Sequence, residues 1–150
     1  MADELQPGGA AKPPLSGSPQ INPADPDPAS RVWPLGGTTW VLTEIRDAQG
    51  AHAVPGGIRS TFEVDTDEGH LYVETGCNHG RASVSINAAS LQVGPMALTR
   101  MMCPDSVMWV EHSIVAVLQG QVPYLIYRDI LAVGGADKAL VYRSDLPPAA

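Results

Sequence analysis

The alternation of apolar and polar positions predicts a chain built mainly from short strands. In residues 70–75, for example, Leu71, Val73 and Thr75 share one face and are separated by Tyr72 and Glu74. A period of two is typical of a strand with one buried face, and the short connections between runs favour antiparallel pairing. The strands predicted before the helix cover residues 39–45, 58–64, 70–75, 82–86, 91–93 and 96–101.

A helix is predicted after residue 104, because the apolar period changes there. Apolar residues recur at three- and four-residue spacing, namely at Val107, Val110, Ile114, Val117 and Leu118. We expect Asp105 to be the N-cap and Gly120 to end the helix. Three further strands are predicted at residues 124–127, 130–133 and 139–143. Strands, one helix and more strands indicate a mostly β (α+β) fold, with an antiparallel sheet that curls around one helix.

The two ends of the chain differ in composition from its middle. Residues 1–36 hold eight of the fourteen prolines, and Leu15 and Ile21 are the only large aliphatic residues between Leu5 and Val32. Such a segment buries too little apolar surface to offset its ordering entropy. We therefore expect a disordered proline-rich tether at residues 1–36, a folded domain at residues 37–143 and a disordered tail at residues 144–150.

The net charge of −7, without any run of Lys or Arg, argues against a nucleic-acid partner. No apolar stretch approaches the roughly 18 residues that a membrane span needs. The start MADELQ is acidic and lacks an apolar core segment, so no signal peptide is expected in this chain. We expect a monomer.

The two cysteines, Cys77 in TGCNHG and Cys103 in TRMMCPD, pose the main chemical question. A metal site could draw on both cysteines with His79 and His112, but their spacing does not match a zinc knuckle. A nucleophilic thiol at Cys77 would need a base such as His79, and no convergent set of titratable residues accompanies them. We therefore expect that the protein binds no metal or cofactor and is not an enzyme.

A disulfide between Cys77 and Cys103 is the interpretation we favour. It would close a loop of about 27 residues and contribute on the order of 3.5 kcal/mol in the chain-entropy description. In a reducing cytoplasm the same residues would be two buried thiols. The neighbouring Gly76 and Gly80 permit a positive φ, and Asn78 tolerates a tight turn in which it bonds its own backbone.

Glu111 has two interpretations. It lies one position off the apolar stripe, so it is either a solvated helix residue, which we favour, or a partly buried acid that caps backbone donors.

Taken together, these motifs resemble the META (HslJ-like) domain family. The resemblance covers roughly residues 37–143, and its most specific part is G-C-N paired with T-x-M-M-C. The residues that match the family motif, with a structural role implied, are Gly76, Asn78, Thr99, Met102 and Glu111. This chain departs from many relatives after G-C-N: they continue with an aromatic residue and then a glycine, whereas His79-Gly80-Arg81-Ala82 stands here.

The resemblance implies a small, partly open antiparallel β-barrel with a helix packed across it. It also implies an extracytoplasmic protein of the bacterial envelope or secreted fraction, related to stress responses, with a lipid anchor in the full-length precursor. No enzymatic activity is established as a trait of the family.

Two functions are compatible with this picture. The first is a non-enzymatic module that binds an unknown protein or small apolar ligand in a groove, for which the candidate lining residues are Trp40, Leu71, Val73, Met96 and Tyr124. The second is an inhibitor of a secreted hydrolase that presents an exposed loop around His79, Gly80 and Arg81. An open apolar groove beside the helix would favour the first.

Overall fold

The computed structural model describes residues 33–145. Residues 1–32 of the predicted tether and residues 146–150 of the predicted tail lie outside the described residues. Within the described part, the chain forms ten strands and one helix, in the order β1 Trp40–Asp47, β2 Gly50–Ala53, β3 Thr61–Asp65, β4 His70–Glu74, β5 His79–Asn87, β6 Ser90–Val93, β7 Ala97–Leu98, α1 Asp105–Val117, β8 Gly120–Tyr127, β9 Ile130–Gly134 and β10 Ala139–Ser144.

Eight of these strands form a closed antiparallel barrel. Their order around the barrel is β1, β3, β4, β5, β6, β8, β9 and β10, and β10 returns to pair with β1. This confirms the predicted mostly β fold, an antiparallel barrel with one packed helix. The ring of pairings is complete, but β1 and β3 share only two residue pairs, Trp40 with Phe62 and Val41 with Thr61. Residues 44–47 of β1 pair with the short strand β2 instead.

The interior of the barrel is filled by alternating apolar side chains. In β4, Leu71 and Val73 are buried while Tyr72 and Glu74 are exposed, which is the predicted alternation. Trp40 is fully buried and its indole N–H donates a hydrogen bond to the Leu35 carbonyl at 3.2 Å. Residues just before β1 therefore contribute to the same core.

Helix α1 packs its apolar stripe against the barrel, as predicted, with Val110, Ile114 and Val117 buried. Its boundaries differ from the prediction. Pro104 occupies the N-cap position and Asp105 is the first helical residue, without a side-chain capping bond. An acidic residue is still favourable there, because the first turn carries the positive end of the helix dipole.

Several strands differ from the predicted ones in their boundaries or their existence. Strand β5 begins at His79 rather than at residue 82, because Gly80 is paired with Val73 on one side and with Leu98 on the other. Strand β2 was not predicted at all, and residues 96–101 contain only the two-residue strand β7. Among the described residues, no helix is long and apolar enough to cross a membrane.

Candidate functional site

The turn after β4 is closed by the side chain of Thr75. Its backbone N–H donates to the Asn78 carbonyl at 2.8 Å, and its hydroxyl oxygen accepts the Asn78 N–H at 2.9 Å. The next residue, Gly76, has a φ of 101°, and a Cβ there would lie 2.6 Å from Cγ2 of Ile58. Glycine is therefore required at position 76 both by the backbone conformation and by the close packing.

Asn78 joins this turn to the segment before the helix. Its Oδ1 accepts hydrogen bonds from the Met101 N–H at 2.6 Å and the Thr99 hydroxyl at 3.0 Å. Its Nδ2 donates to the Met101 carbonyl at 3.0 Å and to Oε1 of Glu111 at 2.9 Å. The side chain thus holds the segment around Thr99 and Met101 rather than its own backbone, which corrects the expected role of Asn78.

Glu111 is buried, with 5% of its surface exposed. Its Oε1 lies 2.9 Å from both the Thr75 hydroxyl and Nδ2 of Asn78. The interpretation of Glu111 as a solvated helix residue is therefore wrong. The alternative interpretation, a buried acid that accepts hydrogen bonds from backbone donors, agrees with the burial of Glu111. The donors, however, are the side chains of Thr75 and Asn78 rather than backbone groups.

The structure joins Cys77 and Cys103 by a disulfide, which is the pairing that the sequence predicted. The two Cα atoms are 6.1 Å apart, within the usual range for a disulfide. Because Asn78 also binds Met101, the segment from Thr99 to Cys103 is attached to the turn at two places. This double attachment fixes one wall of an open pocket.

We call this pocket, between α1 and residues 96–102, the methionine pocket. Its volume is about 590 Å³, and all four methionines of the described residues line it, namely Met96, Met101, Met102 and Met108. The helix contributes His112, Val115 and Ala116 to the opposite wall. The remaining lining residues are Asn78, Leu98, Arg100 and Glu111. Met101 and Met102 are 59% and 88% exposed, so their side chains are largely uncovered.

A second pocket of about 500 Å³ lies on the outer face of β3, β4 and β5. We call it the outer-sheet pocket. Its lining is mixed, with Glu63, Tyr72 and Arg81 in neighbouring positions across the three strands. Gly80 also lines this pocket. A Cβ at position 80 would lie 2.8 Å from Cδ1 of Leu98 and 2.9 Å from Sδ of Met96. Gly80 is therefore needed for close packing and not for a positive φ.

The candidate groove residues do not line one open groove. Trp40, Leu71, Val73 and Tyr124 belong to the buried core, because a barrel of eight strands is filled by its own side chains. Val73 also contributes to the lining of the outer-sheet pocket, and Met96 lines the methionine pocket. The open groove beside the helix is instead the methionine pocket. Two of its methionines are among the residues that the sequence singles out, Met96 as a groove residue and Met102 as a structural residue of the family motif.

His79, Gly80 and Arg81 do not form a projecting loop. They are the first residues of β5 and are paired with β4, and Gly80 and Arg81 also pair with β7. Between residues 33 and 145, no group of three or more His, Cys, Asp or Glu side chains is arranged to hold a metal ion.

Sequence reasoning missed Thr75, Met101 and Met108 as parts of this site. Thr75 was assigned only to the buried face of a strand, although a hydroxyl residue before a glycine turn is a common way to bond turn amides. Met108 lies beside the apolar stripe of the helix, and its four-residue spacing to His112 is the signal that could have placed both on one face.

The closed antiparallel barrel, the single packed helix and the disulfide-linked turn place this chain in the class of small β-barrel domains. The family model of the META domain matches residues 33–145, and the chain belongs to this family. The fold is also similar to the NMR structure of a protein from Burkholderia xenovorans, with a TM-score of 0.60 and 23% identity, covering 87% of this chain and 96% of that chain.

Another NMR structure is similar with a TM-score of 0.59 and 16% identity, covering 73% of this chain and 90% of that chain. At these identities the likeness shows the fold alone. No significant match was found among curated proteins.

Proposed function

We propose that this chain is a non-enzymatic, stress-related module of the bacterial envelope or secreted fraction that binds a partner protein in the methionine pocket. The location rests on the family resemblance, and the disulfide fits an oxidising compartment. The observation that supports binding is the gathering of four methionines around one open pocket beside the helix.

Methionine is well suited to such a pocket. Its side chain is unbranched and polarizable, so methionine-lined surfaces adapt to apolar groups of different shapes. Met102, at 88% exposed, gains little from packing within its own chain. An apolar partner that covered Met101 and Met102 would remove this surface from water, which favours association.

The partner segment that fits best is basic and amphipathic. The pocket volume of about 590 Å³ is sufficient for several apolar side chains of one segment. The chain as a whole carries a net charge of −7, which favours the approach of a positively charged partner from a distance, although Arg100 lies in the pocket lining itself. A helix with an apolar face and a lysine-rich face combines both properties and follows a known mode of groove recognition.

The inhibitor hypothesis lacks comparable support, because residues 79–81 belong to a paired strand. An acid–base role for Glu111 also lacks support, because its Oε1 already faces two hydrogen-bond donors.

The test uses an 18-residue peptide of Leu and Lys, acetylated and amidated, with its leucines on one helical face. Binding to the oxidised protein would be followed through the ¹³C-methyl signals of its methionines. We expect the Met101 and Met102 signals to shift on titration. The variant Ala116→Glu places a charge in the pocket from an exposed helix position and should weaken binding at least tenfold, or about 1.4 kcal/mol.

Ser106→Glu is the matched control, because it makes the same charge change at an exposed position on the same helix outside the pocket lining. It should bind at least as well as the wild-type chain. Equal affinity of both variants would contradict the pocket as the binding site. Binding of a small apolar dye in place of the peptide would indicate a small-molecule site.

A further inference from the structure

We propose that the methionine pocket binds Cu(I) through the thioethers of Met101, Met102 and Met108 and the imidazole of His112. This inference goes beyond the proposed function, because a metal ion and an apolar segment require different properties of the same side chains. It starts from the finding that these four side chains line one pocket from two sides.

The helix supplies a pair of ligands at a favourable spacing. Met108 and His112 are four residues apart within α1, so their side chains are neighbours on one helix face. Both line the methionine pocket. The pair therefore offers one soft sulfur and one imidazole nitrogen from a rigid element.

The opposite wall supplies two more sulfurs from a fixed backbone. Asn78 binds both the N–H and the carbonyl of Met101, at 2.6 and 3.0 Å, and Cys103 anchors the chain just beyond Met102. The side chains of Met101 and Met102 remain largely exposed. Their rotatable bonds allow the sulfurs to converge on an ion that enters from solvent.

The donor set selects a soft monovalent ion. Thioether sulfur and imidazole nitrogen suit Cu(I), whereas Mg²⁺ and Ca²⁺ require oxygen ligands. The described residues hold no cluster of three His, Cys, Asp or Glu side chains, which disfavours zinc. Both cysteines of the chain are engaged in the disulfide, so no thiolate competes for the ion. A thioether also has no proton to lose, so protons do not compete with the ion for the three methionine sulfurs.

Met96 provides an internal control. It lines the same pocket, but its Sδ lies 2.9 Å from the position that a Cβ on Gly80 would occupy. This sulfur is therefore packed against β5 and is not assigned as a ligand. Met96→Leu should leave metal binding unchanged.

The experiment titrates the oxidised protein with Ag(I) nitrate in chloride-free buffer, because Ag(I) is a redox-stable analogue of Cu(I). Cu(I) in acetonitrile under anaerobic conditions forms the second arm. One equivalent should shift the methyl signals of Met101, Met102 and Met108. The triple variant with Met101→Leu, Met102→Leu and Met108→Leu should lose at least a hundredfold in Ag(I) affinity, while Met96→Leu stays within threefold.

Leucine retains an apolar side chain of similar size, so the triple variant should still bind the Leu/Lys peptide. If the wild-type chain binds Ag(I) but does not bind the peptide, the proposed function is overturned and the Cu(I) site is not. The single variant Met102→Leu tests the site without a risk of misfolding, because this side chain is 88% exposed. It should lower the Ag(I) affinity at least fivefold. Ag(I) affinity in the triple variant within threefold of wild type, or equally tight binding of Zn²⁺, would overturn the Cu(I) site.

Discussion

Asn78 uses its full hydrogen-bonding capacity to hold three parts of the chain together. A side-chain amide offers two donors and can accept two hydrogen bonds, and all four interactions are made here, to Thr99, Met101 and Glu111. Aspartate cannot replace it, because Met101 O and Glu111 Oε1 are both acceptors. This requirement explains an amide at position 78 better than the turn conformation does.

We predict that Asn78→Asp lowers the free energy of unfolding by about 3 kcal/mol or more. The substitution removes both N–H donors of the side chain and places a carboxylate oxygen against two acceptor oxygens, Met101 O and Glu111 Oε1. Urea unfolding measured against Asn87→Asp, an exposed Asn at the end of β5, provides the comparison. The control should change stability by less than about 0.5 kcal/mol. Similar stabilities of the two variants would show that the four bonds do not act as described.

Tyr142 presents the opposite case, a buried polar atom without a partner. It is fully buried, its ring centroid lies 5.4 Å from that of Phe62, and its hydroxyl has no hydrogen-bond partner among the described residues. Burial also raises the pKa of this phenol well above its usual value.

We therefore predict that Tyr142→Phe leaves the stability unchanged or increases it by about 1 kcal/mol, because it removes an unsatisfied group and keeps the ring. The midpoint and slope of urea unfolding measure this directly. A loss of more than about 1 kcal/mol would reveal a partner for the hydroxyl.

At the scale of elements, the helix was predictable because its apolar residues repeat locally. The role of Glu111 was not, since its partners Thr75 and Asn78 are 36 and 33 residues away in the chain. The start of β5 shows the same limit. His79, Gly80 and Arg81 have no strand pattern of their own, and their conformation is set by the strands on either side. Local patterns indicate elements, whereas the site depends on contacts between them.

The helix itself supports a sharp comparison. Ile114 is fully buried within α1, and His112, two residues earlier, is exposed. We predict that Ile114→Asp abolishes cooperative unfolding, because an unpaired buried carboxylate costs several kcal/mol. His112→Asp should unfold cooperatively, with a midpoint close to that of wild type. Circular dichroism during thermal unfolding distinguishes the two, and a normal transition for Ile114→Asp would mean that the helix does not cover the core.

At the scale of the whole molecule, the barrel closes by pairing its first and last strands. Trp40 pairs with Ser144 and Leu42 with Tyr142, so nearly the entire domain must be in place before the ring is complete. The sequence indicated the strands but not this closure, which depends on register across about a hundred residues. The disulfide has the complementary effect, because it restricts a loop of intermediate length in the unfolded chain.

Reduction of the disulfide should therefore destabilise the entire domain. Cys77 and Cys103 are separated by 26 positions, which corresponds to about 3.5 kcal/mol in the chain-entropy description. For a domain of this size the melting temperature should fall by roughly 15 °C. The double variant Cys77→Ala with Cys103→Ala should melt near the reduced protein and should not respond to reductant. If the oxidised and reduced proteins melt at the same temperature, the hydrogen bonds of Asn78 alone hold the segment from Thr99 to Cys103 against the turn.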